Sequence, residues 1–256
     1  MEGQKLGGRH LNKSANLYAN FEVLCKQRPL LFGGIKMIIQ PKVPDAKLLE
    51  YIYDAAEKYK EIMEQPFLFA GKNRNTGYLW FECTFQKKQF MHLLGIKSKN
   101  YTAEEFFDVC DRYNAGLGTG ITIKDCTPSR NHNRTTINEK ASVCAEILQI
   151  HNAKYLKIGM KDKISQYVDF SYAYGSDVTL GFQKDRKGSS FPITLIPKNI
   201  NTFTTKSYRI LFVLTKTKKT KKYNNLYTEI KKGLFNELYC GFPEELKNLI
   251  DMKQTP

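Results

Sequence analysis

Tyr208-Arg-Ile-Leu-Phe-Val-Leu-Thr215 is the strongest β-strand signal in the sequence, because β-branched and aromatic residues dominate an almost uninterrupted apolar run. Shorter runs of the same character precede it at residues 155–160, 168–174, 178–182 and 191–196. The breaks between them, at Gly175, Gly188 and Pro197, suit antiparallel neighbours, whereas parallel strands need long crossovers. This half of the chain therefore predicts an antiparallel sheet of four to five strands.

The first half of the chain predicts mainly helices. Apolar residues recur at helical spacing from Leu48 to Met63, after a capping Asp45, and Pro66 ends the pattern. The capping box Thr102-x-x-Glu105 begins a second helix, and a third spans about residues 136–151. Two strands, at residues 67–70 and 78–85, separate the first two helices. The order predicts an α+β fold in which N-terminal helices pack on the sheet.

We expect three regions along the chain. Residues 1–40 are glycine-rich with weak periodicity and predict an N-terminal arm. Residues 41–235 form the α+β domain, and residues 236–256 form a C-terminal helical tail. Residues 223–238 and 243–252 are interpreted as peripheral helices.

The charge of the chain predicts an anionic partner. There are 40 Lys+Arg against 25 Asp+Glu, a formal net charge of +15. Between Lys206 and Lys232 the only acid is Glu229, and the densest part is Lys216-Thr-Lys-Lys-Thr-Lys-Lys222. Such a surface can simply serve solubility, but the clustering favours a nucleic acid, through neutralisation of its phosphates. The cations that we expect to bind it here are Arg209, Lys216, Lys218 and Lys219.

Several other classes of protein are disfavoured. No apolar run reaches the roughly 18–20 residues of a membrane span, and Met1–Gly8 lacks the apolar part of a secretory signal. We therefore expect a cytoplasmic protein that does not bind membranes. The six cysteines form no Cys-x-x-Cys pair, which favours reduced thiols and no metal site. Gly116-Leu-Gly-Thr-Gly120 lacks the spacing and context of a dinucleotide loop and predicts a helix stop and turn, and we expect no cofactor.

Two histidines are candidates for chemistry. His92 lies between apolar residues in Phe90-Met-His-Leu-Leu-Gly-Ile96, where a hydrogen-bonded core histidine is the more common interpretation. His132 lies in the polar basic loop Ser129-Arg-Asn-His-Asn-Arg134, which can contact phosphate or be an ordinary solvated turn.

The segment around His92 resembles a known family. Tyr78-Leu-Trp-Phe-Glu-Cys-Thr-Phe-Gln-Lys-Lys-Gln-Phe-Met-His-Leu-Leu-Gly-Ile96, followed by a helix with Glu104-Glu-Phe-Phe107, is similar to the phage-associated barnase–EndoU–colicin–RelE-like nucleases of class four. Its hallmark is an aromatic residue, then His-Leu-x-Gly, then a helix. Gly175-Ser-Asp-Val-Thr-Leu-Gly-Phe-Gln-Lys184 and Ser190-Phe-Pro-Ile-Thr-Leu195 resemble the second block of that family. The resemblance covers roughly residues 45–232.

The resemblance implies a metal-free endoribonuclease whose helices pack on an antiparallel sheet and whose open sheet face holds RNA. In such cleavage a base removes the 2′-hydroxyl proton, the oxygen attacks phosphorus, and an acid protonates the leaving 5′-oxygen. We expect His92 to act as base or acid, Lys184 and Arg186 to hold the phosphate, and Thr194 to hydrogen-bond it. Tyr172 and Tyr174 are expected to stack a base or assist proton transfer, and ordinary strand packing is the alternative. No Glu occurs within residues 154–215, which departs from barnase-like relatives and favours a His-, Lys- or Tyr-based mechanism or an inactive derivative.

Two functions remain open at this point. The first is an endoribonuclease toxin or effector of phage or mobile-element origin, whose expected partners are RNA and a neutralising protein. The second is a non-catalytic phage protein that binds nucleic acid or a host nucleoprotein complex, such as an inhibitor of a host defence. A structural component of the virion is a weaker third option.

Overall fold

The structure is a computed structural model that describes residues 44–130, 132–160, 170–174, 178–186, 188–202, 204, 206–217 and 219–251. The predicted N-terminal arm, residues 1–40, and Lys218 lie outside these residues. The helices are α1 (Asp45–Ile62), α2 (Phe90–Leu93), α3 (Ala103–Asn114), α4 (Arg134–Ile147), α5 (Leu234–Leu238) and α6 (Glu244–Lys247). The strands are β1 (Pro66–Asn73), β2 (Gly77–Thr84), β3 (Ile96–Lys97), β4 (Thr127–Pro128), β5 (Leu156–Met160), β6 (Phe170–Tyr174), β7 (Val178–Lys184), β8 (Ser190–Ile196), β9 (Ser207–Thr215) and β10 (Asn225–Glu229).

The predicted α+β class is confirmed, and the main sheet is larger than the four to five strands expected. Its eight strands have the order β1-β2-β8-β7-β6-β5-β9-β10, and β1 also pairs with β9. The first seven strands therefore close into a ring, and β10 extends from β9. The pairs are antiparallel except for β2 and β8, which meet in parallel through Cys83 and Ser190. The extra strands come from the β1–β2 hairpin, which joins the same sheet, and from β10.

The inner face of the sheet packs on the N-terminal helices. Alternate residues of β1, such as Phe67 and Phe69, are fully buried in one apolar core with Ile52 of α1 and Phe106 of α3. Burying one such phenylalanine side chain contributes about 1.5–3 kcal/mol. The sheet and the helices are therefore held as one body around this inner core.

A second core covers the outer face of β1 and β9. Leu68 of β1 and Phe212 of β9 pack there against Phe235 of α5 and Leu246 of α6, all almost fully buried. The expectation of a continuous helix over residues 223–238 is wrong, because residues 225–229 form β10. The neighbours Leu226 and Tyr227 pack on opposite cores, which is the alternation of a strand.

Local sequence signals set the limits of the longer helices. The Thr102–Glu105 capping box is formed: the Thr102 amide donates to Glu105 Oε2 at 2.8 Å, and this bond lowers the pKa of Glu105. Helix α3 then ends at Asn114, and two residues later Gly116, whose φ is +73°, turns the chain away, as the glycine-rich segment predicted. Helix α4 begins two residues earlier than expected, because the side chain of Asn133 accepts the Thr136 amide at 2.8 Å.

Candidate functional site

Helix α2 presents His92 to solvent from an otherwise buried turn. Phe90, Met91 and Leu93, the other residues of α2, are buried in the inner core, whereas His92 is exposed. Packing on three of four positions fixes the helix, so the Cα of His92 and the direction of its side chain are fixed relative to the sheet. His92 is therefore not the buried core histidine that its apolar neighbours suggested.

Gly95 ends this turn in a conformation that requires glycine. Its φ is +71°, and its amide donates to the His92 carbonyl at 3.0 Å. A Cβ at this position would lie 2.8 Å from His132 Cδ2, so the His132 ring occupies the space that glycine leaves. The Ser129 amide donates to the Gly95 carbonyl at 2.9 Å. The loop after β4 is therefore held against the His-Leu-x-Gly segment.

His132 contacts a buried lysine. Lys140 of α4 is 5% exposed, and its Nζ lies 2.8 Å from His132 Nε2. The other ring nitrogen, Nδ1, lies 3.3 Å from both Ser129 Oγ and the Arg130 carbonyl oxygen. Burial lowers the pKa of Lys140 to about 8 and raises that of the neighbouring Cys144 thiol to about 12. A protonated Lys140 therefore has the His132 Nε2 as a hydrogen-bond acceptor within reach, and the ring's Nδ1 faces Ser129 and Arg130.

The two histidines belong to one corner of the molecule. The Cα atoms of His92 and Gly95 span a hydrogen-bonded turn, less than about 7 Å across. Adding a Cα–Cβ bond of about 1.5 Å and the 2.8 Å gap puts His132 Cδ2 at most about 11 Å from His92 Cα. We call His92, Gly95, His132 and Lys140 the histidine corner.

The β7–β8 hairpin places two of the predicted phosphate-binding cations. Lys184 and Arg186 are exposed on either side of Asp185, whose side chain accepts the Ser189 amide at 3.0 Å and closes the turn. Lys184 pairs with Ser190, the first residue of β8, and α2 contacts this strand. His92 and Lys184 are thus linked through β8, which α2 contacts and whose first residue pairs with Lys184.

Thr194 does not share a face with Lys184. It pairs with Gly181, three residues before Lys184 along β7, which is roughly 10 Å of strand. Leu195 and Leu180, one residue away on each strand, are buried in the inner core, so Thr194 and Gly181 belong to the outer face. Lys184 lies four residues after Leu180 on β7, so the alternation of the strand places it on the same, inner face as Leu180. A phosphate contact by Thr194 remains a prediction.

Three cations form a row across the outer face. Lys72 of β1 pairs with Arg209 of β9, and Arg209 pairs on its other side with Lys157 of β5. All three are exposed, and no ion pair joins them to any residue in the described part of the chain. Neighbouring Cα atoms in such a row are about 4.5–5.5 Å apart. Like charges directly opposite each other destabilise a sheet, so this cationic row is suited to a bound polyanion.

An aromatic ring extends the cationic row. Tyr78 of β2 pairs with Lys72, whose Nζ lies 4.8 Å from the centre of its ring. Tyr78 in turn packs edge-on against Phe242, with ring centres 5.5 Å apart. The row therefore begins at the margin of the outer core and continues to the exposed Arg209 and Lys157.

Lys216 is tied into the fold at the other end of β9. Its Nζ lies 3.5 Å from Glu82 Oε2 and 4.2 Å from the centre of the Tyr223 ring. The buried Tyr223 hydroxyl is 2.9 Å from the same carboxylate oxygen, and burial raises the pKa of this tyrosine. Lys219 is exposed in the following loop. These lysines lie seven or more residues beyond Arg209, roughly 20 Å along the chain, so they are separate from the cationic row.

Two other predicted residues lie on β6, where the structure describes the backbone. Tyr172 pairs with Ile158 and Leu180, and Tyr174 pairs with Leu156 and Val178. Their roles, like those of the other predicted site residues, stay predictions. Within the described residues there is no group of three or more His, Cys, Asp or Glu side chains able to hold a metal ion. None of the helices described has the length and apolar character of a membrane span.

Comparison with known proteins identifies the family. Residues 51–232 match the family described as phage-Barnase-EndoU-ColicinE5/D-RelE like nuclease 4. The chain belongs to this family. The match runs from α1 through β10, so it includes the histidine corner, the β7–β8 hairpin and the cationic row. The suspected resemblance is confirmed, and a nuclease family implies a nucleic acid substrate. No curated protein and no solved structure matches the chain significantly.

The sequence analysis did not identify three basic residues that the fold places in the histidine corner or the cationic row. Lys72 and Lys157 become part of a surface only through their register with Arg209. Lys140 occupies an apolar-face position of α4, one residue before Ala141 and four before Cys144. A lysine at a core-facing helical position was the available signal for a buried, partnered amine.

Proposed function

We propose that this protein is a metal-independent endoribonuclease, a toxin or effector of phage or mobile-element origin, that cleaves RNA by attack of the 2′-hydroxyl on the adjacent phosphodiester. The observation that carries the proposal is the exposed imidazole of His92 on the packed helix α2. This helix contacts β8, and the first residue of β8 pairs with Lys184. Family membership supplies the nucleic acid substrate.

The chemistry follows from these side chains. An imidazole titrates nearest neutral pH, so His92 can remove the 2′-hydroxyl proton or protonate the leaving 5′-oxygen. The O2′–P bond forms as the P–O5′ bond breaks, which gives a 2′,3′-cyclic phosphate and a 5′-hydroxyl. Lys184 and Arg186 stabilise the extra negative charge on the phosphorane. Only RNA supplies the attacking oxygen, and this is why we propose RNA rather than DNA.

The cationic row supports a polyanionic substrate independently of the catalytic assignment. Lys72, Arg209 and Lys157 repel one another unless an anion lies over them. A phosphate backbone that crosses the three strands neutralises all three cations, and binding is then sensitive to salt.

The test is cleavage of total RNA by purified protein in EDTA. Wild type should cleave, whereas His92→Gln should lose at least about 100-fold in rate, the usual contribution of a general acid or base. His151→Gln is the matched control, because His151 is an exposed histidine whose ring makes no described contact. A DNA strand of the same sequence should remain intact.

Other results would overturn the proposal. Equal cleavage of DNA, cleavage that requires an added divalent metal, or full activity in His92→Gln contradicts the mechanism. Salt-sensitive RNA binding without any cleavage would instead support the non-catalytic binding protein.

A further inference from the structure

The contact between Lys140 and His132 has no role in the proposed cleavage chemistry. Its two basic groups lie 2.8 Å apart, one of them on a 95% buried side chain. Among the described residues no carboxylate forms an ion pair with either group. A buried ammonium without a carboxylate is costly, so the folded chain retains it at the expense of stability.

The geometry of the contact allows only one shared proton. With Lys140 protonated, Nζ donates to the lone pair of His132 Nε2, and Nδ1–H faces Ser129 Oγ and the Arg130 carbonyl. A second proton would occupy the Nε2 lone pair and place two positive charges in contact. At a separation near 3 Å, inside the protein, this repulsion far exceeds one hydrogen bond.

The described groups around the pair supply no negative charge that would neutralise the second positive charge. Cys144, one turn along α4, is a buried thiol whose raised pKa keeps it neutral. Asp45 already pairs with Arg134 at 2.9 Å, which ties the first turn of α4 to α1. Gly95 and Ser129 offer only backbone groups and one hydroxyl. Protonation of the pair must therefore be relieved by separating His132 from Lys140.

Separation of His132 from Lys140 would also displace the turn that carries His92. The His132 ring fills the space over Gly95, and the Ser129 amide bonds the Gly95 carbonyl, so the loop and the turn move together. We propose that Lys140 and His132 form a proton-dependent latch that holds Ser129 and His132 on Gly95 and so positions His92. The latch is closed at neutral pH and opens on acidification. His132 and Lys140 are positioning residues, and this role rests on the proposed nuclease function.

Two substitutions of His132 test the latch directly. In His132→Gln the amide oxygen accepts from Lys140 at any pH, so the latch cannot titrate. In His132→Ala the latch cannot form. The readout is hydrogen exchange of the Ser129 amide at pH 7 and pH 5, corrected for the intrinsic pH dependence of exchange. It needs no RNA and reports the bond to Gly95.

The latch predicts three distinct exchange patterns. Wild type should protect the Ser129 amide at pH 7 and lose at least about 10-fold of that protection at pH 5. His132→Gln should remain protected at both values, and His132→Ala should be unprotected at both. Equal pH dependence in wild type and His132→Gln, or protection in His132→Ala, overturns the latch.

RNA cleavage then tests whether the latch positions His92. The kcat of His132→Gln relative to wild type should rise from pH 7 to pH 5, because only wild type opens. His132→Ala should lose about 10-fold in kcat at pH 7 with little change in KM. If kcat does not follow the exchange result, the positioning role is wrong. If wild type cleaves no RNA, the nuclease proposal fails, while the exchange result still decides whether the latch exists.

Discussion

Replacing Lys140 by methionine should stabilise the protein at neutral pH. Burial lowers the pKa of Lys140 from 10.5 to about 8, and each pKa unit corresponds to about 1.4 kcal/mol. Keeping this amine charged in the folded state therefore opposes folding by about 3 kcal/mol at pH 7. Methionine fills the same apolar space without a charge but gives up the hydrogen bond to His132, about 1–1.5 kcal/mol. The expected net gain in the free energy of unfolding is about 2 kcal/mol.

The gain should depend on pH with a definite sign. The folded-state pKa of Lys140 lies below the unfolded value, so the destabilisation is fully present below about pH 8 and fades as the pH rises to 10.5. Urea unfolding of wild type and Lys140→Met at pH 7 and pH 10.5 measures the difference. Lys124→Met is the control for the loss of an exposed lysine. A loss of stability at pH 7, or a gain equally large at pH 10.5, would refute the reasoning.

Three further predictions follow from the described contacts. Replacing the three residues of the cationic row, Lys72, Lys157 and Arg209, by glutamine should weaken the binding of single-stranded RNA. The slope of log affinity against log salt concentration should fall by about 2, since each phosphate contact contributes about 0.7. The same change at the exposed Lys88, Lys99 and Lys124 should leave the slope nearly unaltered, and equal effects of the two triple substitutions would argue against the row. Gly95→Ala should lower the free energy of unfolding by about 1–3 kcal/mol, because the new methyl group meets the His132 ring and the φ of residue 95 is positive. Urea unfolding measures this loss, and the double variant with His132→Ala should recover part of it. Tyr223→Phe should lower the free energy of unfolding by about 1–2 kcal/mol through loss of the bond to Glu82, and an unchanged urea midpoint would contradict this.

Much of the fold could be predicted because its signals are local. The alternation and β-branched content of residues 155–215 indicated β5 to β9, and the capping box of α3 forms where the sequence placed it. The predicted cap of α1 is wrong, because Asp45 is the first helical residue after Pro44 and its side chain caps no amide of the described helix. Strand β10 was missed because it is short and its apolar residues serve two different cores. Closure of the ring through β1 and β9 depends on pairing between distant segments, which no local pattern encodes.

The candidate site divides in the same way. His92 could be singled out as a candidate because the motif around it is contiguous, although its exposure depends on the packing of the other three α2 residues. The cationic row required the register of three strands from distant parts of the sequence. The opposite faces of Lys184 and Thr194 follow from a β-bulge at Ile193, which shifts the pairing between β7 and β8. The contact between His132 and Lys140 depends on how a loop folds over Gly95.

Identification of the RNA ends produced in EDTA tests the central claim most directly, since the chemistry of the ends records which oxygen attacked the phosphorus. Mass spectrometry of fragments from a short synthetic RNA should show a 2′,3′-cyclic phosphate on one product and a 5′-hydroxyl on the other. Both should be absent when the ribose at the cleaved linkage is 2′-O-methylated. Products that carry a 3′-hydroxyl and a 5′-phosphate would show attack by water and contradict the assignment of His92 to 2′-hydroxyl chemistry.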